Sequence, residues 1–113
     1  MNNKAVNEHF KIMEKIQATY RDNEHKKCEV LCKKDIKLFP QYIIGLANDH
    51  GFNPDGEIPL RMVSFETLVK VYEKQGRYAE GIKVCELAIG YRLPDGTKGG
   101  FKGRMEKLKK KLK

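Results

Sequence analysis

His25, Cys28 and Cys32 follow one another at steps of three and four, so one helical face would carry an imidazole and two thiols. Nitrogen and sulfur donors at that spacing can hold zinc, with Cys85 as a fourth ligand. The paired CxxC or HxxxH signal of such sites is missing, and side-chain packing is the favoured reading. Asp49, Asn53, Asp55 and Glu57 crowd a glycine-containing loop in the manner of calcium ligands. Its core, Gly51-Phe52-Asn53-Pro54-Asp55-Gly56, lacks the leading acid, and Met62 stands where the closing glutamate belongs. A polar turn accounts for it better. Gly96-Thr97-Lys98-Gly99-Gly100 precedes a helical pattern, and free N–H groups there could hold a phosphate or carboxylate. The GxxxxGK-S/T order of a Walker loop is absent, which favours a flexible connector. His9, His25 and His50 are the near-neutral titrators, and none lies in a nucleophile or acid–base motif. The expectation is a chain that is not an enzyme and needs no metal or cofactor.

The formal charge of +8 is uneven. Residues 96–113 hold eight of the 23 basic residues and one acid, Glu106, leaving 15 basic and 14 acidic residues in 1–95. A nearly neutral body thus carries a basic tail, whose face comprises Lys102, Arg104, Lys107, Lys109, Lys110, Lys111 and Lys113. Nucleic acid is one partner such a tail could meet, through its phosphates. No aromatic residues interleave with these lysines, so base stacking is not indicated. The longest apolar run, Tyr42 to Ala47, is far short of the roughly 20 residues of a membrane helix. The N-terminus shows no apolar signal region. Three cysteines outside any disulfide framework suggest a reducing compartment, hence the cytoplasm.

The elements that would position these residues are helices. Val6, Phe10, Met13, Ile16 and Tyr20 mark a helix over 5–21, ended by Arg21-Asp22-Asn23. His25, Cys28, Leu31, Cys32 and Ile36 mark a second over 25–38, which Pro40 should end while opening a short helix over 41–48. Residues 49–59 read as loop on composition. Ser64 looks like an N-cap for a helix striped by Phe65, Leu68, Val69 and Tyr72, which Gly76 stops. Tyr78, Ile82, Cys85, Ala88 and Ile89 mark a fourth helix. Phe101, Met105, Leu108 and Leu112 mark a last one, with lysines on its other faces. The fold class is all-α.

Two stretches repeat. Asn23-Glu24-His25 with Cys32 and Ile36 returns as Gly76-Arg77-Tyr78 with Cys85 and Ile89, each 53 residues on. The stretch Phe65 to Pro94 resembles a tetratricopeptide repeat. Phe65, Leu68, Tyr72, Gly76, Tyr78, Gly81, Ile82, Cys85, Ala88 and Pro94 fill that family's large, small and helix-ending places. The first copy is similar but departs at Asp35, where the second has Ala88. The resemblance implies one domain: a right-handed stack of antiparallel helix pairs over about 5–39 and about 64–92. An insertion of about 41–63 would separate the pairs, because the family period is about 34 residues. A basic capping helix over about 100–112 would close the stack, apolar stripe inward and lysines outward.

What the resemblance implies about function is a protein- or peptide-binding scaffold. In that family the first helix of each pair lines a concave groove. By position this groove would present Met13, Gln17, Tyr20 and Arg21 from one copy and Glu66, Lys70, Glu73 and Lys74 from the other. Mixed charges there suggest a polar or charged partner segment. Glu66 and Lys70 replace the Lys and Asn set with which some members grip a C-terminal carboxylate, so that mode is not expected. The alternatives are nucleic-acid association through the basic helix, and a homo-oligomer formed because two repeats are fewer than the roughly three that usually stand alone. No membrane partner is expected.

Overall fold

A computed structural model describes residues 3–112. Five helices run in order: α1 Asn3–Arg21, α2 His25–His50, α3 Val63–Lys74, α4 Tyr78–Gly90 and α5 Gly100–Leu112. All regular structure among the described residues is helical. Each helix packs on the next along the chain, and α1 also touches α3.

The 53-residue repeat is written into the backbone. Asn23 and Gly76 both take left-handed conformations, φ 58° and 72°. Asparagine and glycine are the residues that tolerate that region best. Around them the hydrogen bonds match pair by pair. Glu24 N–H donates to the Thr19 carbonyl (2.9 Å) as Arg77 does to Tyr72 (2.8 Å). Asn23 donates to Tyr20 as Gly76 does to Glu73, both at 3.1 Å. The residues that open the second helix of each hairpin, Glu24 and Arg77, have φ/ψ of −85/66° and −91/62°. One turn geometry thus folds α1 onto α2 and α3 onto α4.

Pro40 does not end α2, a helix of 26 residues that runs through it to a left-handed Gly51 at φ 73°. The first part of 41–63 is therefore helix. A proline inside a helix costs roughly 3 kcal/mol. Tyr42, Ile43 and Leu46, all buried beyond it, contribute about 1.5–3 kcal/mol each. Burial wins, and the Pro40 ring itself faces solvent. The rest of the segment is tethered: Ile58 is buried, its N–H donates to Arg92 O (3.3 Å), and Arg92 Nε donates to Gly56 O (2.8 Å).

Asp35, the departure from the second copy, is fully buried in the α2 stripe. Its Oδ1 lies 2.7 Å from His9 Nδ1 on α1, and its Oδ2 accepts the Tyr42 hydroxyl at 3.1 Å. The His9 ring stacks on Tyr42 at 3.8 Å. Burial, and then the Asp35 charge, push the Tyr42 phenol above its ordinary pKa. Both oxygens of this buried carboxyl group are thus bonded. It fastens α1 to α2.

Other expected positions moved. Phe10 is 50% exposed, and His9 and Ile12 take the buried places. Ser64 is not the cap: Met62 precedes α3, and Ser64 lies inside the first turn with a buried, unpartnered Oγ. Ile89 and Leu112 face solvent while Gly81, Val84, Cys85 and Ala88 are buried in α4. Phe65, Leu68, Val69 and Tyr72 are buried as their spacing requires, and α3 is the central helix. At Gly81 an added Cβ would lie 3.0 Å from Leu108 Cδ1, so this glycine makes room for α5.

Candidate functional site

α1 and α3 lie side by side, and the residues they expose there form the candidate site. Tyr20, at the end of α1, is half-buried. The ammonium groups of Lys74 and Lys70 stand 4.7 and 5.9 Å from its ring centroid. This is cation–π geometry, and it joins residues far apart in sequence. Phe10, Met13, Gln17 and Tyr20 follow at steps of three and four and so share one side of α1, where Phe10 is exposed. Arg21 is exposed beside Asp22, Nε to Oδ1 at 3.3 Å.

The two acids assigned to this groove are occupied. Glu66 is 3% exposed and held by Arg61 through two bonds of 3.1 and 2.6 Å. It faces away from solvent and cannot meet a partner directly. Glu73 receives the Lys111 ammonium of α5 at 2.6 Å. Its carboxyl is held below the ordinary range by Lys111 first, with Lys107 and Arg104 adding to the effect. The mixed charge read from the sequence thus resolves into bound acids and free lysines, Lys70 and Lys74.

The basic helix is less outward-facing than its composition suggests. Arg104 is clamped on Asp95, with side chains 15% and 0% exposed. Burial would raise the Asp95 pKa, but the bonds from Arg104 and Thr97 outweigh it and lower the value. Lys109 sits 3.9 Å from Glu106. A hollow of about 270 Å³ between α3 and α5 is bounded by Glu73, Gly99, Gly100, Arg104 and Lys107. The glycine-rich connector therefore borders the same basic side of the molecule.

The remaining candidates fall elsewhere. Cys28, Cys32 and Cys85 are buried free thiols, and burial pushes up Cys32 and Cys85, the latter to about 11. The Cys28 thiol donates to Ile16 O at 3.8 Å, a packing contact. His25 Nε2 is buried without a partner. Among the described residues no group of three His, Cys, Asp or Glu side chains is placed to hold a metal ion. In the 49–57 loop Asn53 Oδ1 accepts the Asp55 N–H at 2.9 Å, a local turn bond. His9, Asp35 and Tyr42 look like a catalytic set, but at 2%, 0% and 0% exposure no substrate reaches them. No described helix is long and apolar enough to cross a membrane.

Two features escaped the sequence reading. Arg61 lies outside any helix, so its hold on Glu66 leaves no i,i+4 signature. The approach of Lys107 and Lys111 to Glu73 depends on how α5 docks, close to Gly81 through Leu108. Comparison with protein-family models, curated proteins and solved structures found no match.

Proposed function

We propose that this chain is a protein- or peptide-binding scaffold, a tetratricopeptide-like right-handed stack of two helix hairpins capped by α5. The duplicated turn, the helix order and the α1–α3 contact support that arrangement. The chain works by contact rather than turnover, and its three free thiols accord with a reducing compartment such as the cytoplasm.

The observation that carries the reading is the Tyr20–Lys70–Lys74 cluster beside two neutralised acids. Free lysines standing over the ring of Tyr20 fit an acidic segment with an apolar anchor. The lysines steer and orient it, and the apolar residues supply the buried contact. A fluorescent acidic peptide, broken by proline so that it stays extended, tests this by anisotropy. Binding should weaken with salt and fall at least roughly tenfold in a Tyr20→Ala, Lys70→Glu double variant. Equal affinity in the variant, or no preference over a lysine-substituted peptide, refutes the proposal.

A further inference from the structure

The first hairpin has a second open face, on the side away from α3 and α4. On α2, Glu29 bonds Tyr72 and Arg77, so that side packs on the second hairpin. On the opposite side Lys15, Ala18 and Thr19 of α1 and Lys26, Lys27, Val30 and Leu31 of α2 enclose a shallow groove of about 590 Å³. Val30 stands in it 65% exposed. The floor is apolar: Ala18, Leu31, Val30 and the methylene stems of the lysines. The rim is cationic, and no acidic side chain is among the described residues that line it. Lys27 has an ion pair, with exposed Glu24 at 3.0 Å.

Two occupants from this chain are disfavoured by charge. A second copy meeting the groove face to face would set Lys15, Lys26 and Lys27 against their own equivalents. A second copy adding head to tail would bring α5, whose exposed side carries Lys102, Lys107, Lys109 and Lys110 against one acid, Glu106. Like charges pressed together across an interface cost several kcal/mol. The groove lies between two antiparallel helices, and a third helix covers such a seam by laying an apolar stripe into it.

We propose that this face docks an amphipathic helix with acidic flanks, contributed by a protein partner. The apolar stripe covers Val30 and Leu31, and glutamates or aspartates on either side meet Lys15, Lys26 and Lys27. The site is separate from the α1–α3 groove, so the chain can hold two segments at once.

Two labelled helical peptides about five turns long test it. They share a leucine stripe and differ in having glutamate or lysine flanks. The acidic peptide should bind, and the basic one should not. Val30→Glu should weaken the acidic peptide roughly tenfold, and Lys26→Glu with Lys27→Glu should do the same. Lys70→Glu should leave it unchanged. Circular dichroism reports whether each variant stays folded, and Val30 is exposed enough that its exchange leaves the core intact. Equal binding of both peptides, no binding, or loss only in Lys70→Glu overturns the proposal. So does a dimer in sedimentation that Val30→Glu dissolves, which would make a second copy the occupant.

Discussion

Replacing Asp35 with alanine sets packing against repeat pattern, because the two require opposite signs. The equivalent residue of the second hairpin is Ala88, fully buried. Judged by the repeat alone, Asp35→Ala restores the pattern and gains up to about 0.7 kcal/mol of helix propensity. The lost contacts outweigh that gain. Removing the carboxylate strands His9 Nδ1, 2.7 Å from it, and leaves the Tyr42 hydroxyl, 3.1 Å from it, only the weak Met62 Sδ acceptor at 3.6 Å, in a site where neither is open to water. Each unmet buried group costs about 1–3 kcal/mol. Net of propensity, the loss is about 1–5 kcal/mol. A chain of this size has roughly 6–17 kcal/mol of stability, so the melting point should drop by roughly 5–20 °C. Urea and thermal unfolding followed by circular dichroism measure it. Replacing the whole network (His9→Leu, Asp35→Leu, Tyr42→Phe) should cost less than the sum of the single changes, since no polar group is then stranded. An Asp35→Ala protein as stable as the parent refutes the reasoning.

Pro40→Ala should stabilise the chain by about 1–3 kcal/mol, because it supplies the N–H that an uninterrupted α2 lacks; no rise in the urea midpoint would mean the helix is broken there. Gly81→Ala should be near neutral, its gain of about 0.5–1 kcal/mol offset by the shift of Leu108. Gly81→Leu should cost about 1–3 kcal/mol and make the 96–100 connector sensitive to protease. Bonds from Arg77 hold the Glu29 carboxyl at about 2, below the ordinary 4.5. A depressed carboxyl stabilises the fold above its unfolded value and loses that contribution as pH falls from about 4.5 towards 2. Urea midpoints should therefore drop across that window in the parent and less steeply in Arg77→Leu; parallel acid limbs would contradict it.

The duplicated hairpin was legible because its turns need special residues: Asn23 and Gly76 stand where only a left-handed backbone closes the loop. The α3 stripe was legible because a central helix buries every turn of it. Pro40 points the wrong way because the longer pattern overrides its local backbone preference. Cys28, Cys32, Asp35, Phe39, Tyr42 and Leu46 run unbroken at steps of four and three through the proline. Asp35 hid that stripe by being polar, and its partner His9 hid the true inner face of α1, where Phe10 looked the better core residue. In the candidate site, Tyr20, Lys70 and Lys74 were placed on facing helices by the repeat register. The pairing of Glu66 and Glu73 was not legible, because it depends on Arg61 in a loop and on the docking of α5.

If the α1–α3 face is a receptor for acidic segments, amide NMR of the labelled protein, titrated with the proline-broken acidic peptide, will locate the contact residue by residue. Progressive shifts should be confined to the neighbourhood of Met13, Gln17, Tyr20, Arg21, Lys70 and Lys74, and should diminish as salt is raised. Shifts centred on the outer residues of α5, or a spectrum unchanged at saturating peptide, would mean that the face receives no such segment.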